Sequence, residues 1–166
     1  MILKKISMSA TIQLLAICFL VSFAISQTPS PALLVLEKED KSPAIVDPAT
    51  LKVVARAPAC EDPHEVATSL DGSQAFISNY GGFRTPQNTI SIVDLASQKA
   101  LSPVNLGPLN APHGLDLVNG KVYFAAEVSK VSFDNNIAVV DLKTMSVTSR
   151  VATGKGPDGL AWAVRK

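Results

Sequence analysis

Pro63-His64-Glu65-Val66-Ala67, the pair Asp71-Gly72, Ala75-Phe76-Ile77-Ser78-Asn79 and then Asn88-Thr89-Ile90-Ser91-Ile92-Val93-Asp94 follow one another as short apolar runs set between turn residues. The runs are rich in β-branched and aromatic side chains, which reads as strand, turn and strand rather than helix. Asp-Gly supplies the positive φ angles of a two-residue hairpin turn, so the runs flanking residues 71–72 are expected to be consecutive antiparallel strands. A proline forces an extended backbone just before a new strand begins.

The phrase recurs. Ala44-Ile-Val-Asp47-Pro-Ala-Thr50, Ser91-Ile-Val-Asp94-Leu-Ala-Ser97 and Ala138-Val-Val-Asp141-Leu-Lys-Thr144 lie over one another, their aspartates 47 residues apart both times. A second set is Pro63-His64-Glu65, Pro112-His113-Gly114 and Pro157-Asp158-Gly159, and Asn119-Gly120 stands where Asp71-Gly72 stood. In Asp-x-x-Ser/Thr the carboxylate accepts backbone N–H groups two or three residues on, so Asp47, Asp94 and Asp141 are expected to be structural turn caps. They lack the dense Asp/Asn/Gly spacing of a calcium loop. Val53-Val54, Val122-Tyr123-Phe124 and Ile137–Val140 supply further strands, and nothing after residue 30 holds a helical period. A period in the forties built from short strands marks a propeller or strand array, not a helical solenoid. The expected fold class is all-β.

With these residues in view, the chain resembles the YVTN-repeat (YncE-like) β-propellers. Their blade reads Pro-His-Gly-Val-Ala, an Asp-Gly turn, Tyr-Val-Thr-Asn, then Val-x-Val-Ile-Asp. The resemblance spans residues 32–166 and implies four-stranded antiparallel blades with strands a to d running outward from a central axis. Blade 1 then holds strands b–d in residues 32–60, blade 2 fills 61–109, blade 3 fills 110–154, and residues 155–166 give a closing strand a through Gly159–Val164. That makes about three blades and 12 strands, where propellers use four to eight blades. The family implies a chain about twice as long, so a shortened member is expected, with middle blades missing around Lys130 in the stretch Glu127–Asp134. The other reading is a homodimer in which two chains complete one six-bladed ring.

Lys4 and Lys5, an apolar run from Leu14 to Ile25, and Ala24 and Ser26 placed before Gln27 mark residues 1–26 as a secretory signal peptide, followed by a short tail at 27–31. The run is shorter than the roughly 20 residues a spanning helix needs. The chain is therefore expected to be secreted or periplasmic, with no membrane span after cleavage. Of 15 basic and 14 acidic residues, cleavage removes two lysines, so no charged track invites nucleic acid. It also removes Cys18, which leaves Cys60 with no partner for an internal disulfide.

His64, His113 and Asp158 share one repeat position and would face a common mouth, where converging polar groups bind a metal or polarise a carbonyl. The competing reading is that this residue merely follows the turn proline and caps the strand entrance. Two histidines and one aspartate without a fixed spacing assign no metal, and no cofactor is expected. Cys60 and His64 are spread apart by Pro63 and a strand context. The segment Tyr80–Asn88 is longer than a hairpin needs, so Tyr80 and Arg84 join the candidate ligand contacts. No Gly-x-Ser-x-Gly elbow, Cys-x-x-Cys-His haem site or phosphate loop is present. No catalytic residue is assigned. The expected function is an exported β-propeller module that binds or scaffolds a small molecule or an envelope protein. The alternatives are a shortened, non-functional relative, and a propeller enzyme of lactonase, lyase or quinoprotein type, to which Glu127 would add a polar group.

Overall fold

Alternating apolar residues between turn signals produce eleven strands in the computed structural model, which describes residues 27–82, 84–129, 133–154, 157–161 and 163. The expected signal peptide, Phe83, the junction at Lys130, and Trp162 and Val164 of the expected closing strand lie outside the described residues. The strands are β1 (Leu33–Glu37), β2 (Ser42–Asp47), β3 (Lys52–Arg56), β4 (Pro63–Thr68), β5 (Gln74–Gly82) and β6 (Thr85–Asp94). They continue as β7 (Lys99–Asn105), β8 (Leu109–Val118), β9 (Lys121–Ser129), β10 (Phe133–Asp141) and β11 (Ser146–Ala152). Three antiparallel sheets result, each in chain order: β1-β2-β3, β4-β5-β6-β7 and β8-β9-β10-β11. Among the described residues there is no helix.

The repeated aspartates cap turns as expected. Asp47 accepts the Ala49 N–H and the Thr50 hydroxyl, both at 2.8 Å. Asp94 accepts the N–H and hydroxyl of Ser97, both at 2.6 Å, and Asp141 accepts the Lys143 N–H at 2.8 Å. Four residues after each aspartate the chain turns left-handed, at Leu51 (φ 56°), Gln98 (φ 59°) and Met145 (φ 52°). The paired strands then shift register, between Ile45 and Val46, Ile90 and Ile92, and Val139 and Val140. A turn closed by a left-handed residue and a bulge is a standard hairpin solution, but it ordinarily selects glycine.

Two expected turns come out differently. Asn119 and Gly120 both have positive φ, 49° and 69°, and make the two-residue hairpin that the sequence implies. At Asp71-Gly72 only the glycine does, and the connection runs from Ser69 to Ser73. The Asp71 carboxylate widens it by gathering the Ser69 hydroxyl (2.6 Å) and the Ser73 N–H (3.1 Å) and hydroxyl (2.8 Å). These donors lower its pKa to about 2. The long loop expected at 80–88 is mostly ladder instead: Gly81 pairs with Pro86 and Gly82 with Thr85, with Arg84 in the turn. A register shift between Asn79 and Gly81 absorbs the extra length, and Gly81 (φ 72°) lies where a Cβ would press on the Gln87 nitrogen.

The core sits between sheets, and β5 shows how a period of two fills both interfaces. Ala75 and Ile77 join Ile45, Ala57, Val93 and Leu95 in the cluster against the first sheet. Phe76, between them, joins Ile90, Ile92, Val122, Phe124 and Val140 in the cluster against the third. A strand buried on both faces reads as a continuous apolar run. Each strand nonetheless sends odd and even residues to different neighbours. The one large polar group here, Asn79, is fully buried and donates to the Thr89 and Ser91 hydroxyls, each at 2.9 Å. The tail at 27–31 is tied to the second sheet through the Thr28 hydroxyl, which donates to the Leu95 carbonyl. Beyond β11, residues 157–161 carry no regular structure, whereas a strand was expected from Gly159. Residue 158 lies against β8: a Cβ on Gly114 would strike the Asp158 carbonyl.

Candidate functional site

His64 and His113 are the second residue of β4 and the fifth of the ten in β8, each directly after a buried proline. The residues before those prolines, Asp62 (φ 49°) and Ala111 (φ 51°), are both left-handed. That conformation is unfavourable for a side chain before proline, and such outliers concentrate at binding and catalytic sites. Both histidines also fall in register shifts, between Pro63 and Val66 on β4 and between His113 and Leu115 on β8. Bulges re-aim side chains that a regular ladder would alternate. Tyr80 lies in the β5 shift already described.

The result is a compact group. The two imidazole centroids are 4.0 Å apart and tilted by 49°. The Tyr80 ring stands 5.2 Å from His64 and 5.6 Å from His113, nearly edge-on to the latter. The Tyr80 hydroxyl donates to Glu127 Oε2 at 2.8 Å. Nδ1 of His64 is 3.8 Å from Glu65 Oε1, and Nδ1 of His113 lies against Asp158 Oδ1 without making a hydrogen bond. Both Nδ1 atoms are shielded from solvent and lack a hydrogen-bond partner.

Two groups of the cluster have shifted acidities. Burial lowers the His64 pKa, helped by the neighbouring His113 and by Lys38 and opposed by Asp62 and Glu65. Tyr80 is pushed up to about 12, mainly because its proton is held by Glu127 and also because it is partly buried. The phenol therefore stays a donor, and the His64 imidazole favours its uncharged form with a lone pair to offer.

Of the residues singled out in the sequence, His64, His113, Asp158 and Tyr80 come together. Arg84 does not: it is exposed at the β5–β6 turn, with no hydrogen bond or ion pair to the group. Cys60 is a half-buried free thiol outside the cluster. Glu65 was not singled out, and Glu127 only as an adjunct of the enzyme reading. A signal for Glu127 existed, because it lies 47 residues after Tyr80 and so holds the same repeat position.

Sheet packing gives the site its place. β8 packs on β4, β5 and β6, and β1 on β4, while no comparable packing joins β3, β7 and β11 among the described residues. The first strands thus converge and the last ones splay. Solved structures with this arrangement include Kuenenia stuttgartiensis hydrazine synthase (TM-score 0.65, 22% identity), which matches 76% of this chain and 34% of its own. Citrobacter koseri AztD matches with TM-score 0.60 and 11% identity over 77% of this chain and 34% of its own. The sheets are propeller blades.

Dihydro-heme d1 dehydrogenase NirN, solved in complex with DHE, matches with TM-score 0.58 and 16% identity over 76% of this chain and 27% of its own. The chain thus spans about a third or less of the length of these structures. No family model and no curated protein matches it. β4 and β8 are the first strands of the second and third sheets, and the histidine pair lies where they pack together.

Proposed function

We propose that this chain is an exported, YVTN-type β-propeller module that binds a small polar molecule at the inner-strand cluster. The observation that carries this reading is the convergence of two repeat-related pairs, His64 with His113 and Tyr80 with Glu127, at register shifts on neighbouring blades. A group that merely capped strand entrances would not need left-handed residues before both prolines. Fixed donors, shielded lone pairs and carboxylates are what orient a small ligand. That NirN was solved with DHE supports the idea that such blades hold ligands, although DHE itself belongs to that protein. The signal-peptide pattern at residues 1–26 and the single remaining cysteine support export to the periplasm or beyond.

Calorimetric titration of EDTA-treated protein with a panel of small carboxylic acids, amino acids and sugars tests the reading. At least one should bind saturably and lose about tenfold or more in affinity in the Tyr80→Phe or His113→Ala protein. Binding that ignores both substitutions, or no binding at all, refutes it.

A homodimer that completes a ring is a second part of the reading, favoured by one surface. The outer face of the first blade exposes Leu33 (52%) and Val35 (42%) on β1 and Val53 (43%) on β3, on either side of β2. Light scattering after size exclusion should give twice the chain mass. A monomer across the accessible concentration range would remove the ring.

A further inference from the structure

An imidazole nitrogen that is shielded and makes no hydrogen bond costs about 1–3 kcal/mol and calls for an occupant. Nδ1 of His64 is such an atom, and Nδ1 of His113, which also makes no hydrogen bond, lies against the Asp158 carboxylate. Carboxylates flank them on two sides. Donor atoms of His64, Glu65 and His113 lie within 4.8 Å of one another, and so do those of His113, Glu127 and Asp158. A tetrahedral zinc ion with bonds of about 2.0–2.2 Å holds its ligand atoms roughly 3.4 Å apart. The 3.8 Å between His64 Nδ1 and Glu65 Oε1 is close to that spacing.

We propose that His64, His113 and Glu65 bind one divalent transition-metal ion of the zinc class. Two imidazoles and one carboxylate suit zinc, and also cobalt, nickel or copper, but not calcium or magnesium, which take oxygen ligands. Three protein ligands leave a fourth position open to water or to the oxygen of a bound molecule. Glu127, held by the Tyr80 hydroxyl, and Asp158, seated against His113, form a second set of donor atoms around His113. There they fix the imidazole and supply the charge that a divalent ion attracts. The ion would anchor a small ligand in the blade mouth, so the inference rests on the binding reading above and gives it a chemistry.

The test is titration of the full exported chain, stripped with EDTA, with zinc by calorimetry and with cobalt by visible absorption. One ion per chain is expected, with a cobalt spectrum of low coordination number. His64→Ala and His113→Ala should each weaken zinc by about tenfold or more, and Glu65→Gln by a smaller factor. Cys60→Ser should leave binding unchanged. His113→Gln, checked for native circular dichroism, separates loss of a ligand from loss of fold. Absence of zinc binding, or binding indifferent to both histidines, overturns the proposal. If an organic probe binds the EDTA-treated chain through Tyr80 and His113 but zinc does not bind, the metal inference fails while the binding module stands. If neither zinc nor any organic probe binds, both fall.

Discussion

Phe76→Ala measures whether the central blade divides its side chains between two interfaces. Phe76 is 1% exposed and belongs to the cluster against the third blade, whereas Ile45 belongs to the cluster against the first. Truncating a buried phenylalanine costs about 3–5 kcal/mol. A domain of this size holds on the order of 7–20 kcal/mol at roughly 0.05–0.15 kcal/mol per residue, so the variant should fold but be weakened. With a urea slope of about 2 kcal/mol per molar, the unfolding midpoint should fall by roughly 2 M. The sharper readout is a pair of double-mutant cycles followed by circular dichroism. Phe76→Ala with Ile92→Val, which share a cluster, should couple by about 0.5 kcal/mol or more. Phe76→Ala with Ile45→Val should add to within about 0.5 kcal/mol, because different interfaces hold them. A cost below about 1 kcal/mol for Phe76→Ala, or equal coupling in both cycles, would refute the alternation.

Gly114→Ala should push residues 157–159 off β8, because its Cβ would strike the Asp158 carbonyl. Faster amide exchange confined to residues 157–161 and the adjoining part of β8 is expected, and unchanged exchange would contradict the placement. Asp71 gives a pH dependence. Its folded pKa, about 2, lies below the unfolded value of about 3.9, so its stabilisation is full above pH 4 and is lost as pH falls toward 2. The gap in urea midpoint between the native protein and Asp71→Asn should therefore be constant near neutrality and shrink between about pH 4 and pH 2. A gap that does not narrow in acid would rule out the charged turn.

Much of the fold is legible because turn chemistry and a period of two are local. The Asp-x-x-Ser/Thr caps and Asn119-Gly120 state their geometry in their own side chains. Leu51, Gln98 and Met145 do not: nothing about those residue types announces a positive φ, and the turn that precedes them imposes it. The segment at Tyr80–Asn88 looked too long because a register shift is invisible in a string of residues. The same blindness hid Glu65. In a regular strand it would point away from its neighbour His64, and only the shift between Pro63 and Val66 lets their donor atoms approach. Asp158 was found by repeat position, but what brings it to His113 is the missing side chain of Gly114.

Positions 47 residues apart look the same way along the stack: Ile45 and Ile92 lean toward the following blade, Ile77 and Phe124 toward the preceding one. The row of blades therefore has a direction. Leu33 and Val35 belong to a backward-looking face, and what complements it is a forward-looking face. Copies that associate through these surfaces meet head to tail, in the heterologous manner, not as mirror-like faces. Such a contact has two outcomes, closure after a whole number of chains or an endless filament. The angle between successive blades decides which, so a substitution that merely alters blade tilt could turn a soluble ring into a fibre.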